Sequence, residues 1–418
     1  IYKIMFSINS KFFLIMIVLC LGYTISQFLR TSVGVLAPNL MIDFAITPDQ
    51  MGLLGGIFFL SFALFQIPAG ILLDRFGPRK VMTVIITFAL LGSIIFALSN
   101  SFIGLLVGRL LMGLGCSICL MGSLVIISRW AAKDDFSKLA GIILAIGGLG
   151  GLLATTPLSY VADTIGWRFG FWCALIGTLI VMLLYYCIIR DYPNNNIKND
   201  NVENDKSHTS PFNIWIILKE RNFKYMIPMS LMSYSALFVV LGLWGAPYLK
   251  DFHNLDLLDR GQILMLMAIS WNIGSFVFGR LREFFGGYKN VVIFGSIGVI
   301  ILLLILAFIP SLPTLYLYVL FCILGFFGAF SVALISHYQV LFENEYMGRA
   351  LSTANFFNFG GVFLIQWLTG KIIYIFGGNE LGAPKEAYSY AFVFVSALLF
   401  ISLIIYLFAK EDKIIKKI

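Results

Sequence analysis

Tyr23, Gln27 and Arg30 are spaced i, i+4 and i+7, so on a helix they share one face. A guanidinium beside an amide and a phenol is a receptor for a carboxylate or another anion, because its planar fork can donate to two oxygens at once. Arg30 lies deep in an apolar run, and so does Arg109. A charge at such a depth is costly, so each should face a cavity or a polar partner. Arg109 reads equally as a wall of that cavity or as a structural donor to the first helix. Tyr234, Trp271, Asn355 and Asn358 extend the set of polar and aromatic groups available to a solute, with Asn272, Tyr338 and Gln366 behind them. His337 could titrate near neutral pH, but its place near the end of an apolar run favours a structural role.

A second constellation is a repeated turn. GILLDRFGPRK, 70–80, returns in degraded form as GRLREFFGGYK, 279–289, an offset of 209 in a chain of 418. The shared positions are Gly70 and Gly279, Asp74 and Glu283, Gly77 and Gly286, and Lys80 and Lys289; Arg75 and Arg79 complete the basic set of the first copy. Glycines here permit close helix approach and a tight turn. The carboxylate, near helix ends and basic groups, can accept charge-assisted hydrogen bonds. Duplication at half the chain length, between long apolar runs, points to a pseudo-symmetric membrane carrier. A plain solvated turn is the competing reading.

The elements that must position these residues are apolar helices. The chain is 60% hydrophobic and 12% charged, with mean hydropathy +0.93. A soluble protein of this size carries about a quarter charged residues. Twelve runs are each long enough to cross a bilayer: 12–37, 51–73, 81–99, 102–128, 139–161, 166–189, 223–249, 261–281, 290–309, 313–340, 350–376 and 388–409. The first is too long for a signal-peptide core and lacks a small-residue cleavage site. The polar stretch that follows Arg190 divides the chain into a six-helix bundle over 1–190, a linker over 191–222 and a second bundle over 223–418. Within the linker, 211–222 mixes apolar and basic residues and predicts a helix lying in the membrane interface.

Charge sets the orientation. With the N-terminus inside, 22 of the 29 Lys and Arg fall on the cytoplasmic side, five fall opposite, and Arg30 and Arg109 lie within spans. This asymmetry predicts both termini in the cytoplasm and explains the net charge of +8 without nucleic acid. All 21 acids fall in loops or at helix ends. The six cysteines sit in apolar runs as packing residues; Cys116 and Cys119 lack the company a metal site needs.

These residues resemble the major facilitator superfamily. The 70–80 segment matches that family's loop between helices 2 and 3, with Pro78 replacing a usual basic residue, and Arg109, Gly113 and Gly115 match its fourth-helix motif. The 4–5 and 10–11 loops also correspond, through Lys138-Leu139-Ala140 and Arg349-Ala350-Leu351. The string 28–44 is similar to the first helix of bacterial amino-acid and organic-anion permeases and to the branch of lysosomal dipeptide carriers. The resemblance implies a gating role for both turns and a pathway lined by helices 1, 4, 7 and 10. It departs from organic-anion symporters where they place acids, at Leu29 and about Cys116 here. It departs from antiporters in lacking Gly-Pro in the 147–157 stretch.

The sequence therefore predicts an all-α, twelve-helix secondary transporter, monomeric, in a bacterial inner membrane, moving a small carboxylate-bearing solute by alternating access. Amino acids, short peptides and organic acids lead. No cofactor, metal or enzymatic constellation is expected; a coupling proton or sodium ion is. Inorganic-anion or phosphate-ester exchange, and a non-transporting membrane receptor on the same fold, are the alternatives. The orientation is directly testable: with Asn199→Cys in a cysteine-free background, an impermeant thiol reagent should label only permeabilised cells. Labelling of intact cells would reverse the topology.

Overall fold

The computed structural model describes residues 10–193, 221–309, 312–341 and 344–410. Among them, twelve helices are long and apolar enough to cross a membrane. They are α1 Lys11–Phe44, α2 Pro48–Phe76, α3 Pro78–Leu98, α4 Phe102–Trp130, α5 Lys138–Thr164, α6 Trp167–Ile188, α7 Asn222–Asp251, α8 Leu257–Arg280, α9 Tyr288–Phe308, α10 Thr314–Leu341, α11 Ala350–Ile375 and α12 Lys385–Tyr406. The expected interfacial helix, and most of the 191–222 linker, lie outside the described residues.

The first apolar run ends at 37, before Pro38. The helix instead continues through Pro38 to Phe44. Proline removes one backbone donor, a loss that membrane helices tolerate because their neighbours re-satisfy the freed carbonyl. The two bundles repeat their irregularities. Pro247 in α7 stands 209 residues after Pro38, and α4 breaks at Ser117 where α10 breaks at Ala329. The break in α5, at Ala154 and Thr155, precedes Pro157, which sits in the first turn of the segment Thr156–Thr164 and needs no amide there.

Backbone contact makes the seam between bundles. At Gly34 of α1 an added Cβ would lie 2.8 Å from the Gly242 carbonyl of α7. At Gly52 of α2 it would lie 2.5 Å from the Gln366 carbonyl of α11, and at Gly370 of α11, 2.5 Å from the Pro48 carbonyl. Gly261 of α8 packs closely on the Ser159 side chain of α5. These contacts fall toward the face of the molecule away from the repeated turns, since Pro48, Thr164 and Leu257 are the helix ends on that face. Next to the turns, a Cβ at Gly70 or Gly279 would meet nothing within 4 Å. The close-approach role expected of Gly70 is therefore absent in this conformation, whereas Gly77 does turn the chain, with φ at +79°.

Helix α7 is irregular where it meets α1. Val240–Trp244 forms a π turn, and α11 braces it: Gln366 Nε2 donates to the Phe238 carbonyl at 3.0 Å, and Trp244 Nε1 donates to Thr369 Oγ1 at 2.9 Å. Single π turns free a carbonyl and commonly sit at functional sites.

A side chain at a glycine that touches backbone across the seam cannot be absorbed by a rotamer change. Gly52→Val should destabilise the protein by about 1–3 kcal/mol, while Gly70→Ala should leave its thermal midpoint unchanged. Equal midpoints for the two variants would show that α2 and α11 do not pack backbone to backbone.

Candidate functional site

Arg30 lies on the seam, 4% exposed. Its guanidinium carbon sits 4.7 Å from the ring centre of Phe62 on α2 and 5.1 Å from that of Phe359 on α11, so one aromatic comes from each bundle. Those rings meet edge to face, 4.6 Å apart. The phenols of Tyr23 on α1 and Tyr234 on α7 adjoin the guanidinium, close enough for polar interaction. Gln27 Nε2 donates to Tyr23 Oη at 3.3 Å. The shared face of Tyr23, Gln27 and Arg30 is thus real, and Tyr234 joins it from the other half.

Among the described residues no carboxylate pairs with Arg30, and its Nε has no hydrogen-bond partner. Cation–π contacts contribute about 0.5–2 kcal/mol each. An unmatched buried charge costs several kcal/mol. Two rings and two phenols carry no formal negative charge, so the guanidinium lacks an ionic partner among the described residues.

Arg109, 1% exposed, solves the same problem differently. Nη1 donates to the Leu29 carbonyl at 2.6 Å and Nη2 to the Gly55 carbonyl at 3.4 Å, with the Phe58 ring centre at 4.6 Å. These bonds tie α4 to α1 and α2. Neither arginine is in the cavity lining, and two donors of Arg109 are spent on backbone next to Arg30. Of the two readings open in the sequence, this geometry matches the structural donor.

One turn from Arg30, a narrow cavity, with room for little more than water, lies between α1, α5, α7 and α8. Gln27, Thr31, Thr155, Phe238, Trp271 and Asn272 are on its wall. Trp271, expected from the sequence, is there. Asn355 and Asn358 are not: the α11 residue that meets Arg30 is Phe359, and Asn358 is buried with Oδ1 unpartnered among the described residues. Sequence reasoning missed Phe62, Phe238 and Phe359. A chain with 40 phenylalanines offers no periodic signal that marks three of them.

The repeated turns are bonded within their own bundles. Arg79 donates through Nε and Nη2 to the Tyr186 carbonyl near the end of α6, at 3.0 and 2.8 Å, and its amide donates to Asp191 Oδ1 at 2.8 Å. Lys289 Nζ donates to the carbonyls of Leu407 and Ala409 past the end of α12, at 2.9 Å each. Cations at helix C-termini satisfy carbonyls that lack an intrahelical donor. Asp74, Arg75 and Lys80 are exposed, and the charged neighbour of Asp74 is Arg129 of its own half. Glu283 is exposed too, in the short helix Arg282–Phe285, and Gly286 closes that helix in the left-handed region at φ +76°. His337 is buried, with Nδ1 2.6 Å from Tyr406 Oη, a structural link between α10 and α12.

The model of the Major Facilitator Superfamily matches residues 19–365. The chain belongs to that superfamily. It is an integral, multi-pass membrane protein of the family's twelve-helix fold. It is similar to the hexuronate transporter of Bacillus subtilis (strain 168), 23% identical over 65% of this chain and 64% of that protein. It is also similar to a probable sulfoacetate transporter, SauU, of Cupriavidus necator, 27% identical over 42% of this chain and 41% of that one. The aligned part of the chain thus spans under two thirds of each relative. Among solved superfamily structures, a bacterial homologue of the human lysosomal transporter Spinster, inward-facing and occupied, superposes with a TM-score of 0.77 at 17% identity, covering 96% of this chain and 97% of that one.

The two arginines should respond oppositely to neutralisation. Arg109→Gln leaves buried carbonyls without their donors and should lose roughly 1–3 kcal/mol of stability. Arg30→Gln removes an unmatched charge and should be as stable as wild type or more so. Thermal unfolding of the purified variants measures both; the reverse order would make Arg30 the structural residue and Arg109 the unmatched charge.

Proposed function

We propose that this superfamily member is a secondary transporter that moves a small carboxylate-bearing solute by alternating access, with Arg30 as the counter-charge to the solute's anionic group. The observation that carries this reading is the Arg30 guanidinium, buried on the seam between rings and phenols of both bundles with no carboxylate paired to it among the described residues. An incoming carboxylate would supply the missing charge and could draw on groups of both halves, which is what coupling binding to bundle movement requires. The relatives' names point the same way, since hexuronate and sulfoacetate are both organic carboxylates.

Inorganic-anion exchange fits less well. The position 209 residues after Arg30 is Val239, so α7 offers no second arginine at the pseudo-symmetric place. The tight α1–α7, α2–α11 and α5–α8 contacts on one face, with open space at Gly70 and Gly279 on the other, match one end state of an alternating-access cycle. Under the charge-derived orientation that state faces the cytoplasm, and the membrane is a bacterial inner membrane. The repeated turns act as gate elements in the opposite state; here they are held within their own bundles.

Binding to the purified full chain tests this reading, with thermal shift against amino acids, dipeptides, organic acids and hexuronates. At least one carboxylate should stabilise the protein by mass action. Arg30→Lys, which loses the planar fork, should weaken that ligand about tenfold, and Arg30→Gln should weaken it further. Wild-type affinity in Arg30→Gln would remove Arg30 from the site.

A further inference from the structure

The two bundles differ in one connection on the face away from the repeated turns. Residues 165–166 alone join α5 to α6, whereas residues 376–384 join α11 to α12. The longer connection is built as a compact turn: the Asn379 amide donates to the Gly382 carbonyl at 2.9 Å, and Asn379 Oδ1 accepts from the Leu381 amide at 2.9 Å. Its far end is caught by Asp251, the last residue of α7. Asp251 Oδ2 accepts from the Ala383 amide at 2.9 Å and from the Tyr388 hydroxyl at 2.6 Å. Gly382, at φ +154°, lies so near that an added Cβ would be 2.9 Å from Asp251 Oδ1. Lys250 and Arg260 place positive charge beside the same carboxylate. The near end reaches the first bundle: an added Cβ at Gly378 would lie 3.0 Å from the ring of Pro48, the first residue of α2. Between these ends, Leu381 and Gly382 lie across a narrow gap from Pro38 and Met41 of α1.

We propose that residues 376–384 form a strap that seals this end of the seam, with Asp251 as its catch. The strap is fixed to the second bundle, and it touches the first where α1 and α2 lie against α7 and α11. Its contacts exist with this face closed and are lost when the bundles part here, so they favour the closed state over the opposite one. One carboxylate oxygen serves both donors, so a single side chain holds the strap at two points. Without it, the Ala383 amide and the buried Tyr388 hydroxyl lose their acceptor, and the connection is free to swing away from Pro48. The two-residue link between α5 and α6 cannot reach across in the same way, so the bias comes from one bundle only. The inference rests on the alternating-access part of the proposed function and is independent of the solute.

Maleimide labelling of the purified full chain in detergent, in a cysteine-free background, tests this without any solute. Met41→Cys, buried beneath the strap, reports on this face, and Gly70→Cys, where a Cβ has open space, reports on the other. Asp251→Ala should speed labelling at Met41→Cys about tenfold and slow it at Gly70→Cys. Gly382→Val, which drives a side chain into the Asp251 carboxylate, should do the same. Asp251→Asn, which keeps an acceptor oxygen, should do less. Met112→Cys, buried on α4 within the first bundle, should stay unlabelled in each variant. Unchanged labelling at Met41→Cys overturns the strap. So does faster labelling there that Met112→Cys shares, or that leaves Gly70→Cys unaffected. Gly34→Leu, which wedges α1 from α7 by another route, separates the two readings. If it exposes Met41→Cys and Asp251→Ala does not, alternating access stands and only the strap falls; if neither variant does, both fall.

Discussion

A positive charge in an apolar interior must be matched, and the two arginines at membrane depth divide that requirement between them. Arg109 is matched by the protein: carbonyls of α1 and α2 take its donors, so three helices of the first bundle are fixed at one point. One of those carbonyls belongs to Leu29, the residue before Arg30. The backbone-bonded arginine, whose own Nε is without a partner among the described residues, thereby holds in place the helix turn that presents Arg30. Arg30 meets only rings and phenols, drawn from both bundles, and its deficit lies where the two halves meet.

That meeting combines close backbone approach at glycines with aromatic side chains that cross the seam. In lipid no hydrophobic gain separates helix–helix from helix–lipid contact, so close packing of small residues carries association. Gly34 against Gly242, and Gly52 against the α11 backbone beside Gly370, bring helix axes close enough for Phe59, Phe62 and Phe359 to stack over the seam. The same glycines leave few side-chain knobs to disengage when the halves part. The π turn of α7 lies at the α1 contact, and Gln366 and Thr369 restore hydrogen bonds around it.

Much of this was legible in the residues. Twelve apolar runs, a motif repeated at half the length and an Arg109-Gly113-Gly115 pattern specify the fold, because bilayer thickness and backbone satisfaction allow few other arrangements. Tyr23, Gln27 and Arg30 were legible as a unit, since helical period alone puts them on one face. The helix irregularities were not. Neither Ser117 nor Ala329 breaks a helix by its own preference, and Pro38, which ends helices in water, is carried through here. The aromatic half of the site was hidden for a compositional reason: Phe62, Phe238 and Phe359 are ordinary apolar residues until tertiary packing sets them beside a charge. Asn355 and Asn358 stood out in sequence as rare polar groups, yet Phe359 is what α11 presents to Arg30.

The anchoring of each repeated turn to the end of its bundle's last helix has a mechanical consequence. Arg79 joins the α2–α3 turn to α6, and Lys289 joins the α8–α9 turn to the chain just past α12. A bundle whose early turn is clamped to its final helix is a closed frame, and closed frames resist shear far better than open stacks. Each half can therefore rotate as a stiff lever, with compliance concentrated along the glycine seam.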